Sequence, residues 1–385
     1  MRRIRVIISL NIAEINMYIY EQDNWPNFYW DEVLVLNNLL KIKHEQGILY
    51  GRMSALGFDL QKEASYLTLS EDILKTSEIE GEILNKEEVR SSVANRLGFS
   101  ILNPTVPSRH VDGIVELIID ATSNYNAPLT QERLFSWHAS LFPTGYSGIH
   151  KISVASYRDD KAGKMQVVSG FGKEKVHFTA PDASKIPNEM ELFLNWIEKS
   201  DLDLILKAGI AHLWFVTIHP FDDGNGRITR AITDMLLSKS EKSKLKFYSM
   251  SAEIMKDRKN YYAILEKAQK SNLDITEWLL WFLSCLLKSF QNIQSISENV
   301  FLKAKFWNQF QHDSFNQRQQ KVIHKLLDGF EGNLTSSKWA KITKCSQDTA
   351  YRDILDLVDR KILIKDEAGG RSTSYLFLKL TDFSV

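Results

Sequence analysis

His219-Pro220-Phe221-Asp222-Asp223-Gly224-Asn225-Gly226-Arg227-Ile228-Thr229-Arg230 is the stretch on which the reading of this chain turns. It sets a histidine, two carboxylates, two glycines, an asparagine and two arginines between apolar runs, Leu204 to Ile218 before it and Ile232 to Leu237 after it. Polar groups held between buried helices are costly unless something satisfies them, so this segment is the expected working part of the chain. Asp223-Gly224-Asn225-Gly226 cannot continue a helix, and its glycines let successive N–H groups turn inward. The helix starting behind it adds the positive end of its dipole, which completes a site for an anion such as phosphate. Arg227 and Arg230 share one side of that helix, and guanidinium groups match phosphate oxygens. Asp223 offers the hard oxygen that Mg²⁺ takes from a protein when phosphates supply the other ligands. His219, with an intrinsic pKa of roughly 6.5, suits a general base. The sum is a magnesium–nucleotide site with a base beside the phosphate: phosphoryl or nucleotidyl transfer to a hydroxyl.

The rest of the composition is that of an ordinary soluble protein. The chain has 385 residues, 44% hydrophobic and 25% charged, and its 48 basic and 48 acidic residues cancel. That length implies two or three domains, and a net charge of zero argues against a whole-protein polyanion binder. Cys285 and Cys345 lie far apart and form no CxxC pair, so they read as reduced structural thiols. Arg2, Arg3 and Arg5 before Val6-Ile7-Ile8-Ser9-Leu10 superficially suggest a leader. The run is short and lacks a cleavage site, so the expectation is a cytoplasmic protein with no membrane span. Met17 is an alternative start.

Residues 1–100 read as an N-terminal helical domain. Trp25 to Trp30 form an aromatic entry, expected to be a docking cluster and a contact for a homodimer. Val33, Leu36, Leu39 and Leu40 then recur at helical spacing, a second helix ends near Gly57, and a third runs through Leu67 to Leu74 into Thr76-Ser77-Glu78-Ile79-Glu80-Gly81-Glu82. Thr76 and Glu80 share a face, and Gly81 is a natural terminator. Residues 101–290 hold the central stretch. Two amphipathic helices lie between His110 and Leu141, with Thr130 as N-cap of the second. Met165-Gln166-Val167-Val168-Ser169 and Val176 to Ala180 make a hairpin turned at Gly172, whose edge suits an extended peptide. Leu204 to Ile218 is apolar nearly all round, the central helix of a bundle. Residues 291–315 form a helical connector. In 316–385, three helices and a hairpin turned at Gly369-Gly370 give a winged helix-turn-helix pattern. Its presumed recognition helix carries Asp348, Asp353, Asp356 and Asp359 against Arg352 and Arg360, a poor match for phosphates. Binding of DNA and docking of protein both stay open for this domain. His212 shares a face with His219, but without an HExxH pattern a metal pair is not expected.

His219 to Arg230 matches in full HPFx[DE]GNGRxxR, the signature of the Fic family, and most of the chain resembles one bacterial Fic subgroup. The resemblance implies a mainly α fold: a Fic-type helical bundle with a β-hairpin flap, an N-terminal helical segment and a C-terminal winged helix. It implies transfer of AMP from ATP to a Ser, Thr or Tyr hydroxyl of a target protein whose identity the sequence does not carry. His219 would deprotonate that hydroxyl, Asp223 would hold Mg²⁺, and the Gly224-Asn225-Gly226 backbone would form the anion hole. Arg227 and Arg230 would hold the β- and γ-phosphates. Tyr261, Tyr262 and Gln269 would line the adenine pocket, and Met165 to Ser169 would pair with the target segment. Thr76 to Gly81 matches the inhibitory motif [ST]xxxE[GN], which implies that Glu80 competes with the γ-phosphate for Arg230. Two other readings remain: phosphotransfer or AMP removal at the same site, and a DNA-binding regulator whose core only senses nucleotide.

Overall fold

The structure is a computed structural model, and it describes residues 17–99, 104–161, 163–169, 175–292 and most of 303–377. The chain forms two compact units, one of residues 1–52 with 65–292 and the other of residues 53–64 with 293–385. Residues 18–52, expected in a separate N-terminal domain, fall in the same unit as the central stretch.

In chain order the helices up to residue 141 are α1 (Glu32–Ser54), α2 (Phe58–Ile79), α3 (Lys86–Leu97), α4 (Arg109–Ser123) and α5 (Gln131–Leu141). After two hairpins come α6 (Ile186–Lys199), α7 (Leu204–Ile218), α8 (Asn225–Glu241), α9 (Met250–Lys256), α10 (Arg258–Gln269) and α11 (Thr276–Gln291). The hairpins are β1 (Tyr146–Ser147) with β2 (His150–Lys151) and β3 (Gln166–Ser169) with β4 (Lys175–Thr179), both antiparallel. The turn expected at Gly172 lies outside the described residues. Helix α7 is the centre: every residue from Ile205 to Ile218 is buried, as its unbroken apolar run requires. Asp203 caps it, accepting from the Ile205 N–H. Gly209 lets α11 close on it, since a Cβ there would sit 3.0 Å from the Phe282 ring, and the Trp278 indole N–H donates to the Gly209 carbonyl. Thr130 caps α5 as its sequence predicts.

The helices at the N-terminal end depart from their sequence reading. Residues 32–54 form one helix rather than two. Its buried side is Val35, Leu39, Ile42 and Leu49, while Val33, Leu36 and Leu40 face outward at 68%, 52% and 59% exposure. An apolar residue on a helix is core only if its stripe meets a neighbour, and two apolar stripes here offered a choice that spacing alone does not make. The aromatic entry is internal docking: Trp25 and Phe28 pack edge-on against Trp214 of α7, and the Trp25 N–H donates to Glu189 of α6.

Helix α2 lies along α8 in a ladder of residues four apart on each. Glu80, just past the end of α2, meets Gly226; Thr76 meets Arg230; Asp72 reaches Asp234 through Lys246. The last group is almost fully buried, with the Lys246 ammonium 2.5 Å from Asp234 and 3.5 Å from Asp72. Two carboxylates facing one ammonium cannot both stay ionised cheaply. Burial and the neighbouring Asp72 push Asp234 up to about 8, so Asp234 keeps its proton near neutrality.

The smaller unit carries helices Gln317–Leu327, Ser336–Thr343 and Gln347–Asp359, then an antiparallel pair, Leu363–Lys365 with Tyr375–Phe377. Trp339, Ile323, Ile354 and Leu357 fill its core. Most of the expected connector, and Gly369-Gly370, lie outside the described residues. The acidic character of helix 347–359 is partly internal. Asp353 is buried against Arg318 at 2.7 Å, and Asp356 accepts from Gln319 at 2.6 Å and pairs with Arg360 at 3.0 Å. Its exposed charges are therefore Asp348 and Asp359 against Arg352, a more even balance than four carboxylates against two arginines.

Candidate active site

The turn between α7 and α8 brings the central stretch together. His219 ends α7 in the left-handed region at φ 53°, its N–H bonding the Phe215 carbonyl at 3.0 Å. Its Nδ1 lies 3.1 Å from the Val216 carbonyl, which only a protonated Nδ1 can satisfy, so Nε2 keeps the free lone pair. Burial pushes the His219 pKa below the ordinary histidine value, which keeps it neutral at physiological pH. Gly224, at φ 81°, opens α8 with no side-chain cap, so the first N–H groups of α8 are left to an outside acceptor.

The Asn225 side chain does different work from its backbone. Its amide donates to the Phe221 carbonyl at 2.8 Å and accepts from the Phe221 N–H at 3.0 Å, which locks the turn. Only its backbone faces the anion site. Asp223 accepts from the Gly224 N–H at 2.5 Å and from the Ser147 hydroxyl on β1.

Two supports of this turn gave no signal in the sequence. Arg158, 3% exposed, donates from Nε to the His219 carbonyl at 2.8 Å and from its backbone to the Pro220 carbonyl at 2.9 Å. Asp160 at 2.6 Å balances its charge. His138 of α5 stacks on Phe221, bonds the Asp223 carbonyl at 3.2 Å and accepts from the Ala155 N–H. Burial pushes its pKa down to about 4, so it is a neutral brace. His212, buried on α7, joins Thr233 of α8 to Tyr261 of α10, each at 3.0 Å. None of these lies in a motif; only the fold makes them neighbours.

The two arginines are already in use. Arg230 donates from Nε to the Thr76 hydroxyl at 2.6 Å and from Nη2 to both the Thr76 carbonyl at 2.9 Å and Glu80 at 2.7 Å. The Glu80 carboxylate lies so close over Gly226 that a Cβ there would be 2.1 Å from its Oε1. Thr76 and Glu80 thus both reach Arg230. Arg227 is held too, at 2.9 Å from Glu82 and with its guanidinium over the Phe142 ring. Glu82 also bonds His110 of α4, a pairing that sequence reasoning missed. The exit from α2 explains how Glu80 and Glu82 both arrive. Gly81 adopts φ 86°, the Glu82 N–H bonds the Ser77 carbonyl and the Gly81 N–H bonds that of Glu78, a Schellman ending that fixes both sides of the glycine.

Beside the turn is a cavity of about 540 Å³, bounded by Glu80, His219 and Gly226 at one end. The β3–β4 hairpin and α10 form its walls, Val167 to Ser169 on one side and Tyr261, Tyr262 and Gln269 on the other. Its size lies in the range of small-ligand sites. Tyr261 is buried, Gln269 donates to Thr217 at 3.3 Å, and Tyr262 donates to the Ile79 carbonyl at the end of α2. A register shift between Val167 and Val168 turns His177 out of the strand alternation. It meets Glu266 of α10 at 2.7 Å and Ser169 at 2.5 Å, pinning the hairpin to α10. Met165 accepts the Ala180 N–H at the base of the hairpin, and Gln166 and Val168 are exposed along β3.

Comparison with known proteins agrees with this geometry. Residues 128–237 match the Fic/DOC family. The chain carries a Fic/DOC family domain. Residues 18–99 match a domain of unknown function, DUF4172. A probable protein adenylyltransferase of Aquifex aeolicus is 28% identical over 103 residues, 26% of this chain and 30% of the relative. A uridine 5'-monophosphate transferase of Xanthomonas campestris is 24% identical over 129 residues, 31% of this chain and 23% of the relative. The chain therefore spans under a third of the length of these curated relatives. The crystal structure of a Fic family protein from Desulfovibrio desulfuricans G20 superposes with a TM-score of 0.56 at 18% identity, covering 91% of this chain and 97% of that one. The shared fold is the mainly α Fic bundle. No described helix is long and apolar enough to cross a membrane.

Proposed function

We propose that this protein is a self-inhibited adenylyltransferase, transferring AMP from ATP to a hydroxyl of a target protein and of itself. The observation that carries this is the meeting, on one cavity, of a neutral His219 with a free Nε2 and the uncapped start of α8, the helix whose first turns also carry the buried Arg227 and Arg230. The hydroxyl oxygen attacks the α-phosphorus while its proton passes to His219 Nε2. The bond from the α-phosphorus to the bridging oxygen breaks, and pyrophosphate leaves. The α8 N-terminus stabilises the charge that develops on the α-phosphate oxygens, and Arg227 and Arg230 hold the leaving phosphates. Asp223 would be the protein ligand of a Mg²⁺ bound chiefly by phosphates. Such an ion would neutralise phosphate charge; both Asp223 oxygens keep a lone pair for it beside their present bonds. Tyr261, Tyr262 and Gln269 would flank the base, and Met165 to Ser169 would pair with the extended target segment.

In this reading Glu80 is the brake. A carboxylate on Arg230 takes the γ-phosphate's partner and repels the phosphate itself. Wild type and Glu80→Gly, given Mg²⁺ and ATP labelled at the α- or the γ-phosphate, test both parts. The expected result is α-label on protein, stronger in Glu80→Gly and absent in Glu80→Gly/His219→Ala. Transfer of γ-label alone would replace AMP transfer by phosphotransfer, and equal labelling with and without Glu80 would remove the brake. The Xanthomonas relative is a uridine 5'-monophosphate transferase, which gives the base a second candidate, so UTP belongs in the same assay.

A further inference from the structure

The proposed brake rests on one carboxylate, yet the turn that delivers it presents two. Gly81 separates Glu80 from Glu82, and the Schellman bonds fix the backbone on both sides of it. Glu80 takes Arg230 at 2.7 Å and Glu82 takes Arg227 at 2.9 Å, so each arginine of the central stretch has its own acid. The Arg227 guanidinium also rests on the Phe142 ring, a contact that does not involve Glu82. Both arginines also keep a buried donor with no hydrogen-bond partner, Arg227 Nε and Arg230 Nη1. Buried cationic donors left open are what a larger anion, with more oxygens than two carboxylates offer, would satisfy.

His110 supplies the independent element. It lies on α4, a different helix from α2 and α8, and bonds the other oxygen of Glu82. That bond and the nearby Arg227 hold the Glu82 carboxyl below the usual carboxylate range, so it is ionised at neutral pH. Resting on the brake reading above, we propose that Glu82, anchored by His110, is a second inhibitory carboxylate that withholds Arg227 from the nucleotide's phosphates. The braked site then gains nothing from the β- and γ-phosphates, and ATP binds it about as AMP does. Release must draw the whole turn 80–82 away from α4 as well as from α8.

Titration calorimetry of the full chain with AMP and with α,β-methylene-ATP, which cannot be cleaved at the reacting bond, tests this. Wild type should bind the two within about threefold, since neither arginine is open to the longer ligand. Glu80→Gly should tighten the analogue about tenfold, and adding Glu82→Gln about tenfold more, the order of one charge-assisted bond each. His110→Ala in the Glu80→Gly background should tighten it several-fold, and AMP affinity should stay level throughout, which a merely structural role for Glu82 would not produce. Analogue affinity unchanged or weakened by Glu82→Gln in the Glu80→Gly background overturns the proposal, the weakened case making Glu82 a support of Arg227. A response to Glu82→Gln without one to Glu80→Gly leaves this proposal standing and removes the brake assigned to Glu80. Binding of neither nucleotide overturns both.

Discussion

Glu80→Gly should make the ligand-free protein less stable and its stabilisation by nucleotide larger. Arg230 is 2% exposed, and removing one partner of a fully buried ion pair costs about 3–5 kcal/mol. Here the Glu80 side chain is 32% exposed, and Arg230 keeps both bonds to Thr76. The loss therefore falls toward the surface limit of about 1 kcal/mol, and about 1–2 kcal/mol is expected. The same substitution opens Arg230 and clears the oxygen lying over Gly226, so α,β-methylene-ATP gains its partner. A ligand at about a hundred times its Kd stabilises the folded state by about 2.7 kcal/mol. The variant should thus unfold earlier than wild type alone, and move past its own unliganded value by more than wild type does when the analogue is added. Calorimetric unfolding of the full chain, following the transition of the larger unit, reads both effects. A variant as stable as wild type, with no larger response to the analogue, would refute the reasoning.

Three further outcomes follow from particular contacts. Burial lowers the His219 pKa, so in the Glu80→Gly background the acidic fall of kcat/KM should begin below pH 6.5; a fall centred above that value would assign the base elsewhere. Asp234 is raised to about 8 when folded, above its ordinary unfolded value of roughly 3.9. Its contribution is thus complete below the unfolded value and lost as pH rises through about 8, with a slope of at most about 1.4 kcal/mol per pH unit. Denaturant unfolding from pH 5 to 8 should show that decline in wild type and a flatter profile in Asp234→Asn; parallel profiles would count against a proton on Asp234. Gly113→Ala would put a methyl 1.8 Å from the Ser140 carbonyl oxygen, where α4 meets α5. Because backbone must move, the loss should reach the upper end of the roughly 1–3 kcal/mol typical of overpacking, and an unchanged melting curve would contradict that close approach.

Much of the site was legible because its chemistry is local. The base, the turn, the helix start and both arginines lie within residues 219–230, and helical spacing alone puts Arg227 and Arg230 on one side of α8. Thr76 and Glu80 were legible for the same reason, being one turn apart on α2 before a glycine that ends it. What lay hidden depends on partners remote in sequence. Arg158 supports His219 from 61 residues away and His138 supports Asp223 from 85, and nothing in either neighbourhood distinguishes them from ordinary polar residues. The same holds for Asp353, which reads as one more exposed acid on a helix until Arg318 is seen against it.

By itself, then, the sequence determined the helical segments, the polar turn between α7 and α8 and the residue types that turn needs, because these follow from periodicity, glycine conformations and side-chain chemistry over a few neighbouring positions. Tertiary structure alone decided which stripe of α1 is core, how Asp72, Asp234 and Lys246 share two charges and a proton, and that the α2 ending delivers Glu82 as well as Glu80. Each of those is a choice between several partners available to one side chain. Packing makes it, through which groups lose water together, and no local pattern records that.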